Sequence, residues 1–243
     1  MQPLTDEFLN NCPVDKGFRM RGMAMTRIEV FVDAAFAFAV TMLVISIDQI
    51  PNSLPELIEI SKFIPGFIMS VAQLTLIWHF HSTWSKKFGL EDGQTVILSI
   101  SLVVVMLIFI YPLKMMYQGM FAWISDGFLP SQFTLQDFNE LRMLFYYFAI
   151  GFFLVSVIFM ALYWHAIKSQ KQLQLSAFEL FQTNSKLIIC LNMAATCLLA
   201  LLLPYWVSDK WVPLTGFTYI LLVPSSYYIQ LWRAQYWLKN SQL

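Results

Sequence analysis

The sequence predicts an all-α integral membrane protein with six transmembrane helices. Hydrophobic residues make up 58% of the 243 and charged residues only 12%, about half the charged share of a soluble domain. Apolar runs long enough to cross a bilayer recur along the chain, separated by polar or Pro- and Gly-containing breaks. A buried core alone does not demand so much apolar surface, whereas lipid requires a nonpolar exterior around a packed interior.

Residues 1–20 carry Asp6, Glu7, Asp15, Lys16 and Arg19 without an apolar segment of the signal-peptide kind, so the first hydrophobic helix is expected to direct insertion. A window of about 19 residues marks helices near 25–48, 64–86, 94–118, 141–167, 185–207 and 212–234. Pro51 and Pro55 break the chain after the first, the run Glu91, Asp92, Gly93 separates the second from the third, and a polar stretch from Gln170 to Gln182 separates the fourth from the fifth. The stretch Ile97–Ile110 would suit a strand in water, but in lipid a segment must satisfy its own backbone hydrogen bonds, which favours helix. Pro204, Pro213 and Pro224 are expected to bend the last two helices, either around the bundle or to line a transport path. With no internal repeat, low-complexity tract or appended soluble segment, residues 1–243 read as one six-helix membrane domain.

Basic residues set the expected orientation. Of the 15 Lys and Arg, all but Lys62, Lys114, Arg142 and Lys210 fall on the side of the N-terminus. That bias places both termini in the cytoplasm of a multi-pass plasma-membrane protein. Tryptophans such as Trp84, Trp164, Trp206 and Trp232 crowd the expected interfaces, where aromatic belts anchor helices.

Several function classes drop out. Net charge is zero, and no basic stripe interleaved with aromatics offers a nucleic-acid face. Cys12, Cys190 and Cys197 form neither a CxxC pair nor a disulfide framework and read as small hydrophobes. His79 and His81, two apart, point to different faces of a helix, and His165 is isolated, so neither a metal nor a cofactor is expected. Ser99, Ser101, Ser225 and Ser226 lie in apolar helices without a histidine or carboxylate at catalytic spacing; they are expected to bond backbone carbonyls or neighbouring helices, and the protein is not expected to be an enzyme.

The first span is chemically the richest. It places Arg27 and Asp33 near one end of an apolar helix, where an unpaired charge costs about 3 kcal/mol or more. At about 100° per residue the two point roughly 120° apart and lie about 9 Å apart along the axis, so their partners must come from other helices or another subunit. Trp78 and His81, three apart on the second span, offer an indole donor and an imidazole to Asp33. This set is a polar lock between helices or, alternatively, a proton relay. On another face of the first helix, Phe31, Ala34, Phe38, Thr41 and Ile45 recur at spacings of three and four, a stripe that suits helix packing as well as a pore.

Arg27, Phe31, Val32 and Asp33, followed by small and apolar residues and then Thr41, resemble the R-x-x-x-F-S-D signature of the transmembrane protein 175 family of potassium channels. Trp78 and His81 fall at that family's W-x-x-H, and Pro112 at its proline near the end of the third helix. The resemblance covers residues 21–118; from Phe138 onward it extends only to the helix count. It implies four identical six-helix subunits around a pore lined by the first helix of each, with a constriction at Phe38, a potassium-selecting hydroxyl layer at Thr41 and a further lining position at Ile45. Potassium ions and the lipid bilayer are the implied partners. Two positions depart from the pattern: Val32 replaces the motif serine, and Phe38 is bulkier than the usual leucine or isoleucine and closes a pore more tightly. The chain has neither a TVGYG-like carbonyl filter nor a helix with Arg at every third position, so selection would rest on a hydrophobic constriction and hydroxyls.

Two other functions stay open on sequence. Asp33, His81 and the kinked later helices would suit a proton-coupled secondary transporter, and Val32 with Phe38 would suit a non-conducting scaffold of the same fold.

Overall fold

The computed structural model describes residues 4–45 and 50–240. Its elements are α1 (Asp6–Asn11), a hairpin of β1 (Val14–Asp15) and β2 (Phe18–Arg19), α2 (Arg27–Ile45), α3 (Leu54–Ser61), α4 (Ile64–Phe88), α5 (Gly93–Ile124), α6 (Phe138–Lys168), α7 (Ala177–Trp206), α8 (Val212–Thr215) and α9 (Leu222–Asn240). The all-helical expectation therefore holds except for that small hairpin.

The helices start and stop where local chemistry dictates. Asp92 accepts the Thr95 N–H at 2.9 Å to open α5, and Asp137 accepts the Glu140 N–H at 2.9 Å to open α6. Ser176 and Glu179 cap α7 reciprocally. Gly89, at φ +57°, ends α4 in the left-handed conformation that glycine adopts without strain.

Among the described residues three helices, α5, α6 and α7, are long and apolar enough to cross a membrane, and α3 with α4, bent by 44°, make a fourth where the bent pair counts as one span. The chain is a multi-pass membrane protein. The first expected span, 25–48, is seen as α2 only to Ile45; its continuation through 46–48 lies outside the described residues. The sixth, 212–234, is not one continuous α-helix: α8 passes into a 3-10 segment, Gly216–Leu221, before α9 begins. The fifth begins at Ala177 rather than 185, because the Ser176 and Glu179 cap nucleates it earlier.

Sequential neighbours pack in a row: α4 on α5, α5 on α6, α6 on α7 and α7 on α9, with α2 lying across α4 and α5. Trp84, Leu102, Met106, Leu113, Val155, Leu162 and Cys197 are almost wholly buried in this core. Gly151 is required there: a Cβ on it would lie 2.3 Å from the Phe109 ring.

One end of the bundle gathers the N-terminal arm, the C-terminus of α4, the last turn of α6 and the start of α7. At this arm end Leu4 N–H bonds to Gln172 O at 3.1 Å and Gly22 N–H to Lys86 O at 2.9 Å. Lys16 and Gly17 both take positive φ at the hairpin tip, as a two-residue turn of matching twist requires. At the opposite end Arg142 donates to Pro204 O at 3.0 Å and pairs with Asp209 at 2.7 Å, tying α6 to the end of α7.

Candidate functional site

The candidate site is built on α2. Its start is fixed by Thr26 and Glu29: the Glu29 carboxylate accepts the Thr26 N–H at 2.7 Å while the Thr26 hydroxyl accepts the Glu29 N–H at 3.2 Å. From there Val32, Phe36, Ala39 and Leu43, spaced by four, three and four residues, turn inward and are no more than 5% exposed. The other side of the helix is bare. Phe31 is 54% and Phe38 57% exposed, and Ala34, Ala37 and Thr41 are exposed beside them. Of the expected stripe, Phe31, Ala34, Phe38 and Thr41 lie on one outward face, opposite the face that grips α4 and α5.

Chemically this face is apolar with one hydroxyl. Thr41 Oγ1 donates to Ala37 O at 3.0 Å, so its own proton is satisfied within the helix and its lone pairs face outward. Arg27 is also exposed and, at about 100° per residue, lies on the same edge as Phe38. Among the described residues its guanidinium has no hydrogen-bond or ion-pair partner. Ile45 closes α2, and its side chain lies outside the described residues.

The expected polar set divides in two. Trp78 Nε1 donates to Asp33 Oδ1 at 2.7 Å, joining α4 to α2. His81, 3% exposed, turns instead to α5, its Nε2 lying 3.0 Å from Ser99 Oγ. The sequence placed His81 beside Asp33 because Trp78 and His81 share a helical face; α4 is flanked by both α2 and α5, and that face meets both. His79 is exposed while His81 is buried, so the two imidazoles do not converge. Ser101 donates to Ile97 O at 2.8 Å, and the Asn192 amide donates to Ser225 Oγ at 2.8 Å, bonds of the structural kind expected of these serines.

One buried ion pair joins segments far apart in the chain. The side chains of Arg21 and Glu179, each 1% exposed, form an ion pair at 2.8 Å. In sequence this region reads only as the polar break from Gln170 to Gln182, and nothing local announces a partner 158 residues away.

Comparison with known proteins places the chain in a family. The family model for the endosomal/lysosomal potassium channel TMEM175 matches residues 27–112. A potassium channel of Marivirga tractuosa is 34% identical over 221 residues, covering 87% of this chain and 88% of that protein. The chain belongs to the transmembrane protein 175 family of potassium channels. A crystal structure of a variant of the potassium channel MtTMEM175, bound to a nanobody-MBP fusion protein, superposes with a TM-score of 0.79 at 30% identity, covering 91% of this chain and 99% of that one. The family match spans α2, α4 and much of α5, and so includes Phe38, Thr41, Asp33, Trp78 and His81. The likeness over most of the chain extends the relationship well beyond residue 112, where sequence offered only a helix count.

Proposed function

We propose that this protein is a potassium-permeable cation channel in which the outward face of α2, repeated around the axis of a homotetramer, lines the path. The observation that carries the reading is the two-sidedness of α2. One edge is sealed against α4 and α5, and the other leaves Phe31, Ala34, Ala37, Phe38 and Thr41 exposed in one subunit. Small residues between aromatics suit close approach of another protein surface, because alanine lets backbones come near. Family membership supports potassium as the permeant ion.

In this reading Phe38 forms the hydrophobic constriction, Thr41 supplies a hydroxyl layer that favours potassium, and Ile45 is the next lining position. Asp33 and Trp78 hold α2 to α4, His81 with Ser99 holds α4 to α5, and Arg27 meets a group of the neighbouring subunit. The chain crosses the plasma membrane six times with both termini in the cytoplasm, the arm end carrying the excess of Lys and Arg. A proton-coupled carrier gains less support, because His81 bonds to Ser99 and Asp33 to Trp78 rather than to each other.

Purified protein in liposomes tests the reading. A potassium gradient should drive a flux larger than an equal sodium gradient does, and Phe38→Ala should raise it several-fold. Tight vesicles with no flux in either protein would favour the non-conducting scaffold.

A further inference from the structure

The ion pair between Arg21 and Glu179 is complete in a way that surface pairs are not. Arg21 Nη2 and Nη1 reach Glu179 Oε2 and Oε1 at 2.8 and 3.1 Å. The remaining guanidinium protons go to backbone carbonyls: Nε to Leu173 at 2.9 Å, Nη1 to Arg19 at 3.0 Å and Nη2 to Gln174 at 3.4 Å. Glu179 also accepts the Arg19 N–H at 2.7 Å and the Ser176 N–H at 2.9 Å. All five donors of the arginine and both oxygens of the carboxylate are used, which is the condition under which a buried pair is tolerated and becomes geometrically specific. The Phe18 ring lies beneath the guanidinium, 5.8 Å from its carbon, and beneath the Lys87 ammonium at 4.7 Å.

The position of the pair in the chain gives it a second consequence. The next residue, Gly22, is pressed onto the end of α4: a Cβ there would lie 2.3 Å from Ser85 O and 2.8 Å from Gly89 Cα. Only residues 23–26 separate it from the first residue of α2, five Cα steps with a reach of at most about 18 Å, and Thr26 already belongs to the α2 cap. The start of α2 is therefore moored through Gly22 to α4 and through Arg21 to α7, on the far side of the bundle. Along its own length α2 is held mainly by apolar packing, which is not directional, and by the Asp33–Trp78 bond.

We propose that Arg21 and Glu179 are positioning residues for conduction: the clamp fixes the azimuth and height of α2, and hence where Phe38 and Thr41 stand in the permeation path. The inference rests on the reading of α2 as the lining helix. It concerns residues that face no pore, and it distinguishes a clamp on the pore helix from a mere staple of the fold, since a staple would affect how much protein folds and not which ion the folded protein prefers.

The test uses full-length protein in liposomes with Phe38→Ala as background, so that flux is readily measured, and compares that background with versions carrying Glu179→Gln, Arg21→Ala, or Arg21→Met with Glu179→Leu. The last removes both charges at nearly constant volume, so that no buried charge is orphaned, and keeps the test open if the single variants fail to fold. The readout is the potassium-to-sodium permeability ratio from reversal potentials, which does not depend on the amount of folded protein. A shift of twofold or more in any variant that elutes as the parent assembly supports the clamp. Ratios equal to the background in every such variant overturn it while leaving the lining helix intact. If Phe38→Ala itself leaves flux unchanged from the parent, the lining role of α2 fails and the clamp falls with it.

Discussion

Trp78 donates its indole N–H to the Asp33 carboxylate at 2.7 Å, so the carboxylate carried by the bare-faced helix is held by its neighbour α4. Removing the donor leaves a partly buried carboxylate short of a partner. Trp78→Phe should destabilise the protein by about 1–3 kcal/mol, seen as a lowered melting temperature in detergent. Asp33→Asn, which keeps an oxygen for the indole, should lose less.

Backbone contact at Gly22 predicts a sharp contrast between two glycines. An alanine Cβ at Gly22 would collide with the Ser85 carbonyl, whereas Gly93 has nothing within 4 Å of the same position. Gly22→Ala should cost about 1–3 kcal/mol by overpacking. Gly93→Ala should leave the melting temperature within error of the parent, and equal melting of the two variants would refute the close contact.

Asp92 caps α5 and meets His165 at 2.7 Å. Burial alone would raise its carboxyl, but bonds from Thr95 and His165 outweigh that and hold its pKa below the ordinary carboxylate value of 3.8. A carboxyl whose folded pKa is depressed contributes stability above its unfolded pKa and loses it as the pH falls through the folded value. Asp92→Asn should therefore melt below the parent from pH 5 to 7, and the gap should close as the pH drops below about 3.8. A gap that widens in acid would contradict this assignment.

Thr41 bears the hydroxyl on the bare face of α2. Thr41→Val keeps the shape and removes the oxygen, so the assembly should remain intact while the preference for potassium over sodium falls several-fold in liposome flux. An unchanged preference would remove Thr41 from the selecting layer.

How far the sequence could be read depended on the range of the interaction. The helices α5, α6 and α7 stand out because each is a long apolar run with its own caps, all local signals. The two edges of α2 are equally legible, since Val32, Phe36, Ala39 and Leu43 on one side and Phe31, Ala34, Phe38 and Thr41 on the other follow from helical geometry. The short helix α3 was hidden behind Pro51 and Pro55, which read as a break; Ser53 in fact accepts the Glu56 N–H and starts a new turn with Pro55 in its first positions. His81 was misdirected to Asp33 because helical periodicity fixes a face and does not say which neighbour that face meets. Arg21 counted in sequence only as one more basic residue near the membrane, and its burial depends on a carboxylate that only tertiary folding brings to it.

The central claim, that Phe38 narrows an ion path along α2, is tested most directly by a thiol at that position. Cys12, Cys190 and Cys197 are free; with these replaced by alanine and Phe38→Cys introduced, potassium flux should fall several-fold on adding a cationic thiol reagent, and the matched protein retaining Phe38 should not respond. Complete modification of Cys at position 38 with no change in flux would contradict the account.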